Sequence, residues 1–216
     1  MPYLGAKVSS VIDADRGNGI DAIDAIILGM SSLAPGLLVA TPMLRDPNFV
    51  GTVVLLVEHS EEGALGFVVN RLCETQLRSV FERLEMPVDE MHTQVPVMLG
   101  GPVASQTGWV VFESQSAVDQ RDDVLQVTDR LAVSASKEVL LEAARGSFDG
   151  RAMLVQGYAG WGAGQIEAEV AAGVWLPVDL EEDILFDTPL DKRWAATLRR
   201  LGVHPASISQ TVAAQA

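Results

Sequence analysis

Residues 50–58, Val-Gly-Thr-Val-Val-Leu-Leu-Val-Glu, form a nearly continuous apolar and β-branched run. A strand without polar alternation has to be covered on both faces. The turn Ser60-Glu61-Glu62-Gly63 follows, and then a second apolar run, Ala64 to Asn70. That order predicts a buried hairpin, and such a hairpin needs helices to close over it. Helical patterns are available. Leu77, Val80, Phe81 and Leu84 keep the i, i+3, i+4, i+7 spacing of one helix face, with Thr75 as N-cap and Pro87 as stop. Ser136 caps a helix that runs to Arg145 and stops at Gly146. Gln165 to Ala172 makes another, ended by Gly173. Thr188-Pro189 starts the last, with Thr188 as N-cap and an apolar stripe of Leu190, Trp194, Leu198 and Leu201.

Further short strands are expected at Gly36 to Ala40, Val95 to Leu99, Gly108 to Glu113, Val124 to Val127, Leu131 to Val133, Arg151 to Gln156 and Trp175 to Val178. Strands and helices interleave over a chain of 216 residues with 48 % hydrophobic residues, enough for a sizeable core. The pattern predicts one α+β domain over residues 30–204. Residues 1–29 read as a flexible N-terminal extension and 205–216 as a loose tail. Asp13, Asp15, Asp21 and Asp24 imitate a calcium loop, but Gly17 stands where a side-chain oxygen is needed and Asn18 replaces the turn glycine.

Fifteen Lys and Arg face 29 Asp and Glu, a net charge of −14. Such a chain repels polyphosphate backbones, so direct DNA binding is not expected. The most apolar window, residues 25–40, is interrupted by Gly29, Ser31, Ser32, Pro35 and Gly36, so no membrane span is expected. Cys73 is the only cysteine, which forbids an intrachain disulfide and a CxxC zinc knuckle and suits a reducing cytoplasm.

Several phrases then align in order: Pro35-Gly36-Leu37-Leu38-Val39-Ala40-Thr41-Pro42, Asp46-Pro47-Asn48-Phe49, Val57-Glu58-His59 with Gly63-Ala64-Leu65-Gly66, Asn70-Arg71, and Gly100-Gly101-Pro102-Val103. Gly157-Tyr158-Ala159-Gly160-Trp161-Gly162, Gly164-Gln165-Ile166-Glu167, Trp175-Leu176 and Ile184-Leu185-Phe186-Asp187 continue the series. Over residues 35–203 the chain resembles the AlgH/YqgE family of bacterial proteins. The resemblance implies an α+β fold with a branched, partly closed (pseudo-barrel) mixed β-sheet flanked by helices, and a cytoplasmic protein. Some members carry the label of transcriptional regulator, but the resemblance brings no catalytic residues. Ala163 stands where the family more often has proline.

The candidate ligand- or partner-binding residues are His59, Asn70, Arg71, Gly100, Gly101, Gly160, Trp161, Gly162 and Gly164. The glycine-rich stretch Gly157 to Gly164, between a strand and a helix, is read as a bend whose backbone N–H groups converge as in an anion cradle. Against a phosphate site stand the missing GxxxxGK[ST] motif, the absence of a nearby lysine, and Glu167 and Glu169 in the helix that follows. His59 has the chemistry of a general base, and Glu58-His59 and Asn70-Arg71 end the two hairpin strands. An antiparallel hairpin with so short a loop puts those pairs at opposite ends unless the sheet bends. Cys73 reads as a small core residue. No GxSxG, HExxH or cofactor loop occurs, so neither a metal nor a cofactor is expected. The acidic run Asp179 to Asp187 reads as a solvated edge. The four tryptophans would mark a partner surface if exposed. The residues favour a non-enzymatic binding or regulatory protein with a protein or small-ligand partner. The alternative is a hydrolase or small-anion-binding enzyme using the glycine-rich bend with His59.

Overall fold

A computed structural model describes residues 32–87, 95–114, 121–147 and 150–203. The expected extension and tail, and with them His92 and His204, lie outside the described residues. The fold is α+β. The chain clusters into two compact units: the residues up to Asn70 with those from Gly160 onward, and Arg71–Ala159.

In the first unit, strands β1 (Gly36–Ala40), β2 (Val53–Ser60), β3 (Gly63–Val68) and β9 (Trp175–Val178) pair antiparallel in the order β3-β2-β1-β9. Val53 to Val57 are all buried, as a strand without alternation requires. The strand starts at Val53 and not at Val50, because Phe49 and Val50 both donate their N–H to the Asp46 carbonyl and keep the chain in a turn. The expected hairpin is present, closing at Ser60 opposite Gly63. Its register shifts between Leu56 and Glu58, so Val57 is an extra residue on β2, a bulge that redirects the strand end.

Two helices in this unit differ from expectation. The acidic run is not an extended edge. It holds a short helix, Glu182–Phe186, that buries Ile184 and Leu185. Thr188 does not cap the next helix. Its N–H and hydroxyl both donate to the Asp183 carbonyl, closing the short helix, and Pro189 takes the cap position without a side-chain bond. The last helix, Leu190–Arg200, buries Arg193, Thr197 and Leu198. A charged residue therefore occupies the face that the periodicity assigned to apolar ones, and Trp194 is only half buried.

In the second unit β6 (Leu125–Gln126), β7 (Leu131–Ser134), β5 (Val103–Glu113) and β8 (Ala152–Gly162) pair antiparallel in that order. β4 (Val97–Leu99) adds to β8 in parallel, which makes the sheet mixed and branches it at that strand. Helices α1 (Leu77–Arg83) and α2 (Lys137–Arg145) cover it, with Leu77, Val80, Phe81, Val139, Leu140 and Ala143 packed on Val110, Phe112 and Leu154. Ser136 caps α2 through its hydroxyl to the Val139 N–H, and Gly146 ends it, both as expected. Helix α1 begins later than Thr75 predicts, with Gln76 at its cap. It also ends before Pro87, because Glu85 turns left-handed at φ 55° and Met86 donates back to the Phe81 carbonyl.

The glycine-rich stretch is the clearest correction. β8 runs on through Gly162 and does not bend after Gln156. Gly157, at φ 71°, lies against the loop that links β4 to β5: an added Cβ would sit 2.5 Å from the Gly101 carbonyl oxygen. Gly101 is matched, with Tyr158 carbonyl atoms 2.3 Å from its own virtual Cβ. These glycines allow two backbones to touch within a strand pairing.

One ion pair in this unit gives a pH-dependent prediction. The Glu113 carboxylate accepts from the Arg151 backbone N–H at 2.7 Å, from Nε at 3.0 Å and from the guanidinium terminus at 2.6 Å. Those bonds to Arg151 hold its pKa below the ordinary 4.5. A depressed carboxylate stabilises the fold above the unfolded value and loses that contribution as pH falls through the folded one. Glu113→Gln is therefore expected to unfold more readily than the parent at pH 7. The gap should close on acidification below about 4.5. Paired denaturant titrations at several pH values measure it, and a gap independent of pH would refute the assignment.

Candidate functional site

The bulged end of β2, the turn Glu61-Glu62, the start of β3 and the segment entering β1 enclose an open groove of about 650 Å³ in the first unit. Pro35, Val57, Ala64, Leu65 and Trp161 supply its apolar walls, and Glu58, His59, Ser60 and Glu62 its polar ones. Of the expected site residues, this groove contains His59 and Trp161.

His59 is tied at both ring nitrogens. The Leu33 backbone N–H donates to Nδ1 at 2.9 Å, so Nδ1 is an acceptor and carries no proton. Nε2 therefore carries the proton and donates to Glu167 Oε1 at 2.9 Å. The Ser32 hydroxyl adds a bond of 3.4 Å to the His59 carbonyl. The imidazole thus joins the segment entering β1, strand β2 and the helix α3, Gln165–Ala171. A general base needs a free lone pair facing its substrate, and this ring has none. Glu167 Oε2 is buried without a hydrogen-bond partner among the described residues, so the His59 bond carries that carboxylate. His59→Ala is expected to lower stability by about 2 kcal/mol. Imidazole ¹⁵N NMR should report Nδ1 bare and Nε2 protonated; the opposite tautomer would break this reading.

Trp161 is a core residue, 7 % exposed. Its Nε1 and that of Trp175 both donate to Glu169 Oε2 at 2.9 Å, and Gln165 donates to Oε1. The two indoles meet edge to face at a centroid distance of 6.0 Å, and Phe49 packs on both. The half-buried Glu169 carboxylate is satisfied by two indole donors and one amide, which offsets its partial desolvation. Trp194 is half buried and donates to the Ala40 carbonyl at 2.8 Å, and Trp109 is half buried. No tryptophan forms an exposed surface.

The remaining expected residues serve the backbone or lie elsewhere. Asn70 accepts from the Val53 N–H and donates to the Gly51 carbonyl, both at 2.9 Å, at the hairpin end opposite the turn. Arg71 belongs to the second unit, where its carbonyl accepts from the Leu99 N–H. Gly100 and Gly101 hold the close approach to β8 described above. Gly160, Gly162 and Gly164 are exposed. The Gly162 N–H is taken by the Gln165 side chain at 3.1 Å, and Glu167 and Glu169 follow within the seven-residue α3. The Gly162 N–H is therefore not free to join an anion cradle. The Cys73 thiol donates to the Gln156 Oε1 at 3.4 Å, not to an imidazole. Among the described residues no group of three His, Cys, Asp or Glu side chains gathers to hold a metal ion, and no helix is long and apolar enough to cross a membrane.

A family model described as AlgH-like (DUF179) matches residues 37–206. The chain belongs to the AlgH-like family. A UPF0301 protein of Anaeromyxobacter sp. strain Fw109-5 is 42 % identical over 181 residues, covering 81 % of this chain and 91 % of the relative. One from Ralstonia nicotianae is 41 % identical over 174 residues, covering 80 % and 90 %. Among solved structures, AlgH from Pseudomonas aeruginosa superposes with a TM-score of 0.70 at 36 % identity, covering 83 % of this chain and 94 % of that one. A Corynebacterium diphtheriae protein, at a TM-score of 0.59 and 22 % identity, shares the fold.

Within the AlgH-like frame, sequence reasoning missed the two partners that define the site. In the sequence, Glu167 and Glu169 stand out only as charges opposing an anion. Gln165 and Glu169 stand four apart on one helix, a legible pair. Their links to His59, Trp161 and Trp175 span loops and strands and leave no local trace.

Proposed function

We propose that this protein works by binding a partner and not by catalysis, and that the groove at the β2–β3 turn is the contact surface. The observation that carries this reading is the double engagement of His59. The one imidazole in the groove is committed to a backbone N–H and to Glu167, leaving apolar walls and carboxylates with no nucleophile–base pair. A net charge of −14 disfavours nucleic acid as the partner, so a protein or small ligand fits better, in a binding or regulatory role in the cytoplasm.

The test is photo-crosslinking in cells of the source organism. A photoreactive amino acid in place of Ser60, on the lip of the groove, is expected to give discrete adducts. The same group in place of Asp122, exposed in the second unit, should not. Identical adduct patterns from both positions, or none from Ser60, would remove the groove from consideration as the contact surface.

A further inference from the structure

We infer that the groove accepts a cationic segment of a partner protein, in which Lys or Arg side chains alternate with apolar ones. This deepens the binding reading and rests on it. The carboxylates of Glu58 and Glu62 border the groove, both residues are exposed, and among the described residues no lysine or arginine lines it. Among the described residues neither carboxylate has an ion pair or a side-chain hydrogen bond. The chain pairs many of its other acids: Glu113 with Arg151, Glu142 with Arg121, and Glu181 and Asp183 with Arg200. Among the described residues the groove acids meet no cation.

The local backbone explains why they stand there. The extra residue at Val57 shifts the register of β2, so Glu58 pairs with Leu65. Val57 stays buried while Glu58 is exposed. The turn that follows adds Glu62, with its N–H held by the Ser60 hydroxyl at 3.2 Å. Carboxylates thus border a wall made of Pro35, Val57, Ala64 and Leu65. An apolar wall with an anionic rim fits a segment that carries a cation beside an apolar side chain. The groove is open, whereas small-ligand sites enclose most of their ligand, so a length of chain fits it better than a small molecule.

Charge also decides against two occupants closer to hand. A second copy of this chain carries −14 itself. The chain's own first 31 residues hold Lys7 and Arg16 against Asp13, Asp15, Asp21 and Asp24, a net −2 that an acidic rim repels. The occupant is therefore a cationic segment of another protein.

The experiment uses the full chain and two fluorescent, end-capped octapeptides, one alternating Arg with Leu and one alternating citrulline with Leu. Citrulline keeps the shape of arginine and removes its charge. At physiological salt, where exposed charges more than about 8 Å apart are screened, the Arg peptide is expected to bind at least about tenfold more tightly. Glu58→Gln with Glu62→Gln should erase that preference. Glu74→Gln with Asp122→Asn changes the net charge equally at exposed positions of the second unit and should leave the preference intact. Equal losses in both double variants would reduce the effect to net charge and overturn the inference, as would equal binding of the two peptides. If neither peptide binds while the Ser60 position still crosslinks a discrete partner, the cationic inference fails and the binding reading stands. If the crosslinks also vanish, both fail. Unchanged denaturation midpoints for the double variants show that lost binding is not lost folding.

Discussion

Gly63→Ala is expected to destabilise the first unit by about 3 kcal/mol or more. Gly63 opens β3 at φ 137°, and an added Cβ would lie 2.2 Å from the Trp161 carbonyl oxygen and 3.3 Å from the Gly162 carbonyl carbon. Both obstacles are backbone, so no rotamer change relieves them. The end of β8 would have to separate from β3. That movement would draw Trp161 away from Glu169, Phe49 and Trp175 and open the groove wall. Gly162→Ala is the matched control. Nothing lies within 4 Å of its virtual Cβ, so that change should leave stability nearly unaltered. Guanidinium titrations followed by tryptophan fluorescence compare the two. Equal midpoints for the two variants would show that the β3–β8 contact does not have this closeness.

Arg193→Ala is expected to cost about 2–4 kcal/mol. The Arg193 side chain is 7 % exposed in the last helix. Its guanidinium donates to the Val69 carbonyl from one terminal nitrogen and to the Thr188 carbonyl from Nε at 3.0 Å. It thereby ties that helix to the end of β3 and to the turn before the helix. Burial pushes its pKa down to about 10, and at neutral pH the group keeps its charge. Alanine would leave two carbonyls without this donor and a void beside them. Arg193→Lys should recover only part of the loss, because one ammonium on a flexible stem cannot span two fixed carbonyls as a planar fork does. A fall in the denaturation midpoint at unchanged denaturant slope measures the effect. A lysine variant as stable as the parent would refute the fork argument.

Arg193 also shows where sequence reading stops. The helix itself was legible from its apolar repeat of Leu190, Trp194, Leu198 and Leu201. Periodicity, however, places the buried face only by hydrophobicity, and the buried face includes an arginine whose partners are backbone carbonyls more than a hundred residues away or in a preceding turn. Thr188 failed as a cap for a related reason: the short helix before it claimed its hydroxyl. The glycine stretch 157–164 reads as a bend in the sequence because clustered glycines mark loops. Here the Gly101 backbone comes so close to Gly157 that only glycine fits at that point of a continuing strand.

For the site, the sequence was enough to pick out His59 and Trp161, because an imidazole at a strand end and an indole among glycines are rare and chemically loaded. It did not say what they do. The hairpin that carries His59, the helix capped by Ser136 and the strands β1 and β9 follow from periodicity, turn residues and caps, all of which act within a few residues of the chain. The tautomer of His59, the burial of Trp161 and the lack of an ion pair at Glu58 and Glu62 among the described residues were decided only on folding. Each depends on whether a distant donor or cation arrives within about 3 Å, and hydrogen-bond geometry of that kind is a property of the packed backbone that no local pattern encodes.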